Sequence, residues 1–312
     1  MSAASPRVPV IDFTGADDPA RREAIVAGVG DALERFGFVA VAGHGIDSHL
    51  LDSAYGLAAD LFALPSEVKR AYETPHDGRQ RGYTPYGVEH AKGQSHGDLK
   101  EFWHVGRELS DTHPSRRSGH IPANQWPEEL EAFQPTFLEL FFQMERFGDR
   151  LLAVIAQHLG WSADAFVPRT REGNSVLRVI HYPPILEAPD GAVRAAAHED
   201  INLITVLPVS TAPGLELLTR DGHWLAVQPP PGTVVCDTGD MMQLLTNGRL
   251  PATTHRVVNP PSEGPPRARY SMPFFMHPRD DSVLSPAREG RDAITAGDYL
   301  RRRLRETGMA TD

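Results

Sequence analysis

A change of rhythm near residue 173 constrains this chain most. From there, short β-type runs follow one another with turn signals between them: SVLRVIHY, NLITVLPV, LELLTR, HWLAVQ, GTVVCDTG, HRVVN and RYSMPFFMHP. Asp221-Gly222, between the third and fourth runs, predicts a hairpin. Many short strands at regular spacing suggest a sandwich, barrel or jelly roll. The first 172 residues are different in kind. VPVIDF and FVAVAGHGI read as strands, whereas PARREAIVAGVGDALERFG and DSHLLDSAYGLAADLFAL carry apolar residues at helical spacing. Pro19 marks the start of the first of these helices and Gly37 its end. Residues 74–124, rich in Gly, Pro, His and charge, read as a long irregular segment that could act as a lid. A long helical pattern follows, with Pro135 as its break or start, and ITAGDYLRRRLRETG returns to helix at the end. The expected organisation is α+β. Residues 1–172 form a mixed region packed on the core, 173–280 form the β core, and 281–312 form a helical segment.

Composition narrows the function. A 40% hydrophobic, 23% charged chain is ordinary for a soluble globular protein. A net charge of -10 argues against a nucleic-acid or anionic-membrane surface, so no nucleic acid and no membrane is expected as a partner. Arg301, Arg302, Arg303 and Arg305 read as a solvated helix face. A single cysteine, Cys236, excludes an internal disulfide and fits a reducing compartment. Its apolar surroundings make it a buried small hydrophobe. No leader pattern and no membrane-length apolar run is visible, so the expected location is cytoplasmic.

The chemistry concentrates in AAAHEDINLITVLPV, residues 195–209. Charges at the mouth of a buried strand cost several kcal/mol unless something compensates them. On an extended strand His198 and Asp200 share a face, with Glu199 turned away. The best third ligand is His255, opening another β-type run. Two histidines and a carboxylate with open positions form the ligand set of non-haem Fe(II) oxygenases. Zinc is the alternative metal, but the helical HExxH pattern is absent. Arg269 and Ser271 form another same-face pair, suited to gripping a carboxylate; a salt bridge to a protein acid would account for the arginine equally.

Taken in order, His198-x-Asp200, His255 and Arg269-x-Ser271 resemble the isopenicillin N synthase-like family of Fe(II)- and 2-oxoglutarate-dependent dioxygenases. PVIDF, GFVAVAGHGI, KEFW, HYPP and TNGRLPATTHRVVNP resemble that family's segments too. The resemblance implies a double-stranded β-helix (jelly roll) flanked by N-terminal and C-terminal helices. It implies Fe(II) held by His198, Asp200 and His255, and 2-oxoglutarate chelating the iron. The far carboxylate of 2-oxoglutarate would rest on Arg269 and Ser271, with Tyr182 beside them. Where the family often has asparagine two residues before that tyrosine, this chain has Ile180. O2 would then be consumed as 2-oxoglutarate becomes succinate and CO2. A small molecule such as an amino acid or natural-product intermediate would be hydroxylated, desaturated or cyclised. A carboxylate at 200 argues for oxygenation over halogenation. Phe275 and Arg178 are candidate substrate contacts by strand register. Two alternatives remain: an iron oxidase that dispenses with 2-oxoglutarate, as isopenicillin N synthase itself does, and a non-catalytic jelly-roll binding protein. The sequence is silent on oligomeric state.

Overall fold

The structure is a computed structural model and describes residues 7–90, 96–186, 191–261, 265–285 and 292–306. In chain order the elements are β1 (Val10–Asp12), α1 (Pro19–Phe36), β2 (Phe38–Ala42), α2 (Ser48–Ala63), α3 (Ser66–Arg70), β3 (Gly82–Thr84), β4 (Glu101–Gly106), α4 (Pro114–Arg117), α5 (Phe133–His158) and α6 (Val167–Thr170). They continue as β5 (Val176–Tyr182), β6 (Ala195–His198), β7 (Ile204–Pro208), β8 (Leu215–Leu218), β9 (Trp224–Ala226), β10 (Thr233–Thr238), α7 (Asp240–Leu245), β11 (His255–Val257), β12 (Arg269–Ser271), β13 (Phe274–Met276), β14 (Val283–Ser285), β15 (Ile294–Thr295) and α8 (Ala296–Glu306).

Two sheets make the roll. The larger runs β1-β2-β10-β7-β13-β5-β4-β3, with β12 also paired to β5, and the smaller runs β6-β11-β8-β9. Every pairing in them is antiparallel except β1 with β2. The expected hairpin joins β8 to β9, with Gly222 at φ 84°. Period-2 alternation assigns the faces. Phe38, Leu207 and Val235 point inward to meet Leu215 and Leu217 of the smaller sheet. Their neighbours Val39, Val41, Val206, Val234 and Cys236 point outward into the main core. There α5 lies across the sheet, and Phe141 meets Phe274 edge-on at 5.0 Å. Burying each such side chain contributes about 1.5–3 kcal/mol.

Two expectations need correcting. β1 to β4 come from the first 172 residues yet extend the same sheet as β5, β7, β10, β12 and β13, so position 172 does not divide the sheet. Residues 74–124 are not wholly irregular either. They contain β3 and the fully buried β4. The charges of β4 hid it from the periodicity, because they are spent internally. Glu101 accepts from Lys69 at 2.8 Å and His181 lies 2.8 Å from its other oxygen, all beneath α2 and α3. Pro135 falls in the first turn of α5, where its missing N–H costs nothing.

The end of α1 bears directly on the site. Asp18 caps its start, accepting from the Ala20 N–H at 3.0 Å, and Gly37 ends it at φ 66°. A Cβ on Gly37 would lie 2.2 Å from Thr253 Oγ1 and 2.9 Å from the Pro251 carbonyl. Glycine here lets the helix end seat against the loop that delivers His255.

Candidate active site

His198 ends β6 and His255 opens β11, and the two are directly opposed in the antiparallel ladder. That register brings their rings to 4.5 Å between centroids. Asp200 follows in the bend beyond β6. Its Oδ1 lies 3.8 Å from His198 Nε2 and 3.7 Å from His255 Nε2. One ligand atom from each residue falls within 4.8 Å of the other two. The orientation suits a cation. His198 Nδ1 is bonded to the Ala196 carbonyl at 2.7 Å and His255 Nδ1 to that of Thr253 at 3.1 Å. A carbonyl only accepts, so both Nδ1 atoms carry the proton and both Nε2 lone pairs face Asp200. Phe38 supports the His255 ring edge-on at 5.5 Å.

The electrostatics favour the ligand forms. Burial, followed by His255, pushes the His198 imidazole down to about 4. Burial alone would raise Asp200, but His255, His198 and the Thr205 hydroxyl outweigh it and hold the carboxyl below its usual range. Thr205 donates to Asp200 Oδ2, leaving Oδ1 for the metal, and itself accepts from Asn202 at 2.9 Å. Behind them, burial and the Asp200 charge raise Asp237 well above the carboxylate range. Glu199 is turned to Thr254, its Oε1 accepting at 3.0 Å.

The bend carrying Asp200 is held from the end of β10. Asp240 N–H donates to the Asp200 carbonyl at 2.7 Å, and Met241 N–H to that of Asn202 at 3.1 Å. Gly239 permits this approach. A Cβ there would lie 2.4 Å from the Asn202 carbonyl and 2.7 Å from that of Asp200. Gly239→Val is therefore expected to push the bend outward and weaken Fe(II) or Mn(II) binding by about tenfold or more, read by calorimetric titration.

Inside the roll, a small pocket runs from the triad to Arg269 and Ser271, lined also by Tyr182 and Ile180. Arg269 pairs across the ladder with Tyr182, and its guanidinium sits 4.9 Å from that ring. It is 2% exposed. Nε donates to the Ala212 carbonyl and Nη2 to Ser210 Oγ, which lies 3.0 Å from Ser271 Oγ. Nη1 has no partner, and among the described residues no carboxylate pairs with the guanidinium. A buried arginine lacking an anion calls for one. The salt-bridge alternative for Arg269 therefore finds no acid among the described residues, and the orphan atom fits a 2-oxoglutarate carboxylate.

On the other side of the triad lies a cavity of about 370 Å³. Phe275 and Arg178 line both it and the small pocket. Of the segment 74–124 read as a lid, Arg79, Glu89, Asp98, Lys100 and His104 are among the residues that line it. Arg81 is buried against Asn174 and Tyr83 against Glu101, while Tyr86 is exposed. Arg303 departs from the solvated-face expectation: it lines the cavity and pairs with Asp240. Sequence reasoning missed Glu89, Asp98, His277 and the role of Lys100. Only Phe275-x-His277, an i and i+2 pair, carried a usable signal.

Two buried histidines set an acid limit on stability. Burial pushes His277 down to about 4, and His104 well below its usual value. The unfolded chain binds these protons near 6.5 and the folded chain does not. Their contribution is therefore intact above about 6.5 and lost as pH falls toward about 4. Urea midpoints should drop over that window, His277 alone accounting for about 3 kcal/mol, and His277→Phe should flatten the fall.

A jelly roll presenting two imidazoles and a carboxylate beside an anion-seeking arginine is the shell that a non-haem Fe(II) oxygenase requires. Comparison with known proteins agrees. Residues 8–129 match the family described as non-haem dioxygenase in morphine synthesis N-terminal, and residues 173–278 match the 2OG-Fe(II) oxygenase superfamily. A "2-oxoglutarate-Fe(II) type oxidoreductase hxnY" from Emericella nidulans is 32% identical over 286 residues, covering 88% of this chain and 80% of that protein. Among solved structures, a 2OG-Fe(II) oxygenase family protein from Caulobacter crescentus is 42% identical, with a TM-score of 0.84 over 97% of this chain and 99% of the other. A full-length Neurospora crassa protein, solved in complex with alpha-KG and thymine, is 26% identical, with a TM-score of 0.82 over 96% of this chain and 97% of the other. This chain belongs to the isopenicillin N synthase-like family of Fe(II)- and 2-oxoglutarate-dependent oxygenases. It is an enzyme whose cofactors are Fe(II), 2-oxoglutarate and O2. Among the described residues no helix is long and apolar enough to cross a membrane.

Proposed function

We propose that this enzyme oxidises a C–H bond of a small molecule bound in the 370 Å³ cavity, by hydroxylation or by the related desaturation or ring closure. His198, Asp200 and His255 hold the iron in this reading. Arg269, Ser271 and Tyr182 hold the far carboxylate of 2-oxoglutarate. The observation that carries it is the unpartnered Arg269 Nη1, buried in a pocket that ends at the triad. Together, iron, 2-oxoglutarate and O2 supply a two-electron oxidation coupled to release of succinate and CO2.

The chain's own residues do the positioning. The Ala196 and Thr253 carbonyls fix both imidazole tautomers, and Thr205 orients Asp200. Phe38 and the inward apolar clusters keep the interior dry, which strengthens the Arg269 grip. Phe275 and Arg178 border the cavity where substrate would lie against the metal. One buried thiol, Cys236, supports a reducing compartment, the cytoplasm being the simplest. The test is O2 consumption with succinate detection across a panel of small molecules. Stoichiometric succinate with an oxidised product is the expected result. Oxidation of a substrate without 2-oxoglutarate consumption would remove Arg269 and Ser271 from the co-substrate role.

A further inference from the structure

The cavity treats its charges differently from the co-substrate pocket. Lys100 Nζ lies 2.7 Å from Glu89 Oε2 and 2.8 Å from Asp98 Oδ2. Arg178 Nη1 lies 3.0 Å from the same Glu89 oxygen. Two cations and two carboxylates thus cancel within the inner wall, and all four are buried or nearly so. At the rim, Arg79 is paired with Glu73 at 2.7 Å, and Arg303 with Glu306 at 3.2 Å and Asp240 at 3.4 Å. Among the described residues, every lysine and arginine lining the cavity is spent on a protein acid, whereas Arg269 in the neighbouring pocket has none. Where this fold receives an anion it leaves an arginine unpaired, and the described wall of the cavity offers no such group. The loaded centre adds to this. Ferrous iron, the Asp200 carboxylate, the dianionic co-substrate and the Arg269 guanidinium sum to zero, so the loaded centre supplies no net positive charge to draw a further anion.

What the cavity offers instead is neutral and directional. His277 follows Phe275 by two residues, so both project from the end of β13 to the same side, while Phe274 and Met276 pack on α5. His277 lines the cavity and is 8% exposed, its Nδ1 being fully buried and without a partner, so the ring meets the cavity through its other edge. Burial keeps that ring uncharged at neutral pH. Arg178 adds donors beside it. Its Nε is bonded to His104 Nε2 at 2.6 Å, and its guanidinium lies 4.1 Å from the Phe102 ring and 5.2 Å from that of Phe275. We infer that the substrate is an uncharged polar molecule with a planar or apolar face, hydrogen-bonded by His277 and packed on Phe275, rather than a carboxylate, a phosphate or a free amino acid. This rests on the proposed function and specifies its substrate class.

The test uses the full chain loaded anaerobically with Fe(II) and 2-oxoglutarate. The visible charge-transfer band of that complex is measured first. An absent band sinks the underlying reading, and this inference with it. On the loaded protein, matched pairs are then titrated: uracil and orotate, nicotinamide and nicotinate, benzamide and benzoate. The uncharged member of a binding pair should bind about tenfold tighter or more than its carboxylate, read as a band shift and a rise in Tm. His277→Phe should keep the band but lose about tenfold of that affinity, and His277→Gln should restore part of it. With the band present, equal or tighter carboxylate binding, indifference to His277→Phe, or no binding by any uncharged member would each overturn the inference.

Discussion

A His255→Ala variant loses tight iron binding and all measurable turnover. His255 Nε2 is one of three donor atoms meeting at a point, and its partner across the ladder, His198, cannot close the site with Asp200 alone. Removing a direct ligand costs more than the ten- to hundredfold typical of the groups supporting one, so Fe(II) affinity should fall by more than about a hundredfold. The fold should survive, because the His255 ring makes only local contacts, with Phe38, His198 and the Thr253 carbonyl, while the surrounding ladder of β11 is main chain. Metal titration beside far-ultraviolet circular dichroism checks both halves of the statement. Full turnover in the variant would mean that the third ligand lies elsewhere.

Arg269→Leu has the second largest effect, and it falls on a different quantity. The substitution deletes the buried positive charge facing the pocket and leaves Ser271 and Tyr182 in place. Losing one partner of a desolvated charge pair costs about 2–5 kcal/mol, so the KM for 2-oxoglutarate should rise by about a hundredfold. Iron affinity should be unchanged, because Arg269 makes no contact with the triad. Arg269→Lys should recover part of the loss, since it restores the charge without the planar fork. A KM indifferent to Arg269→Leu would take this residue out of the co-substrate site.

The centre was legible in the sequence because its parts are short-range patterns on strands. Arg269-x-Ser271 declares a shared face by strand alternation on β12. His198-x-Asp200 instead converges across the end of β6 and the bend beyond it, so the spacing pointed to the right pair although Asp200 is off the strand. The β core was legible for the same reason. The cavity wall was not. Glu89 and Arg178 are 89 positions apart, and nothing local to either announces the other. Lys100 and Glu101 look like exposed charges until the fold shows what each is paired with. β4 was concealed because a buried strand that satisfies its charges internally breaks the hydrophobic rhythm used to find strands. Arg303 was misjudged because three neighbouring arginines face solvent and only its own place on the helix turns it inward.

The placement of β2 has a consequence for engineering. This strand lies between β1 and β10 in the large sheet, and its first residue, Phe38, is the floor under His255, a proposed metal ligand. A fragment cut to begin at residue 173 would keep all three ligands, yet it would bare a hydrogen-bonding edge along β10 and leave one imidazole without support. The smallest catalytic unit of this oxygenase therefore includes its opening helix and strand, and shortening the protein from the front should forfeit activity well before any ligand is removed.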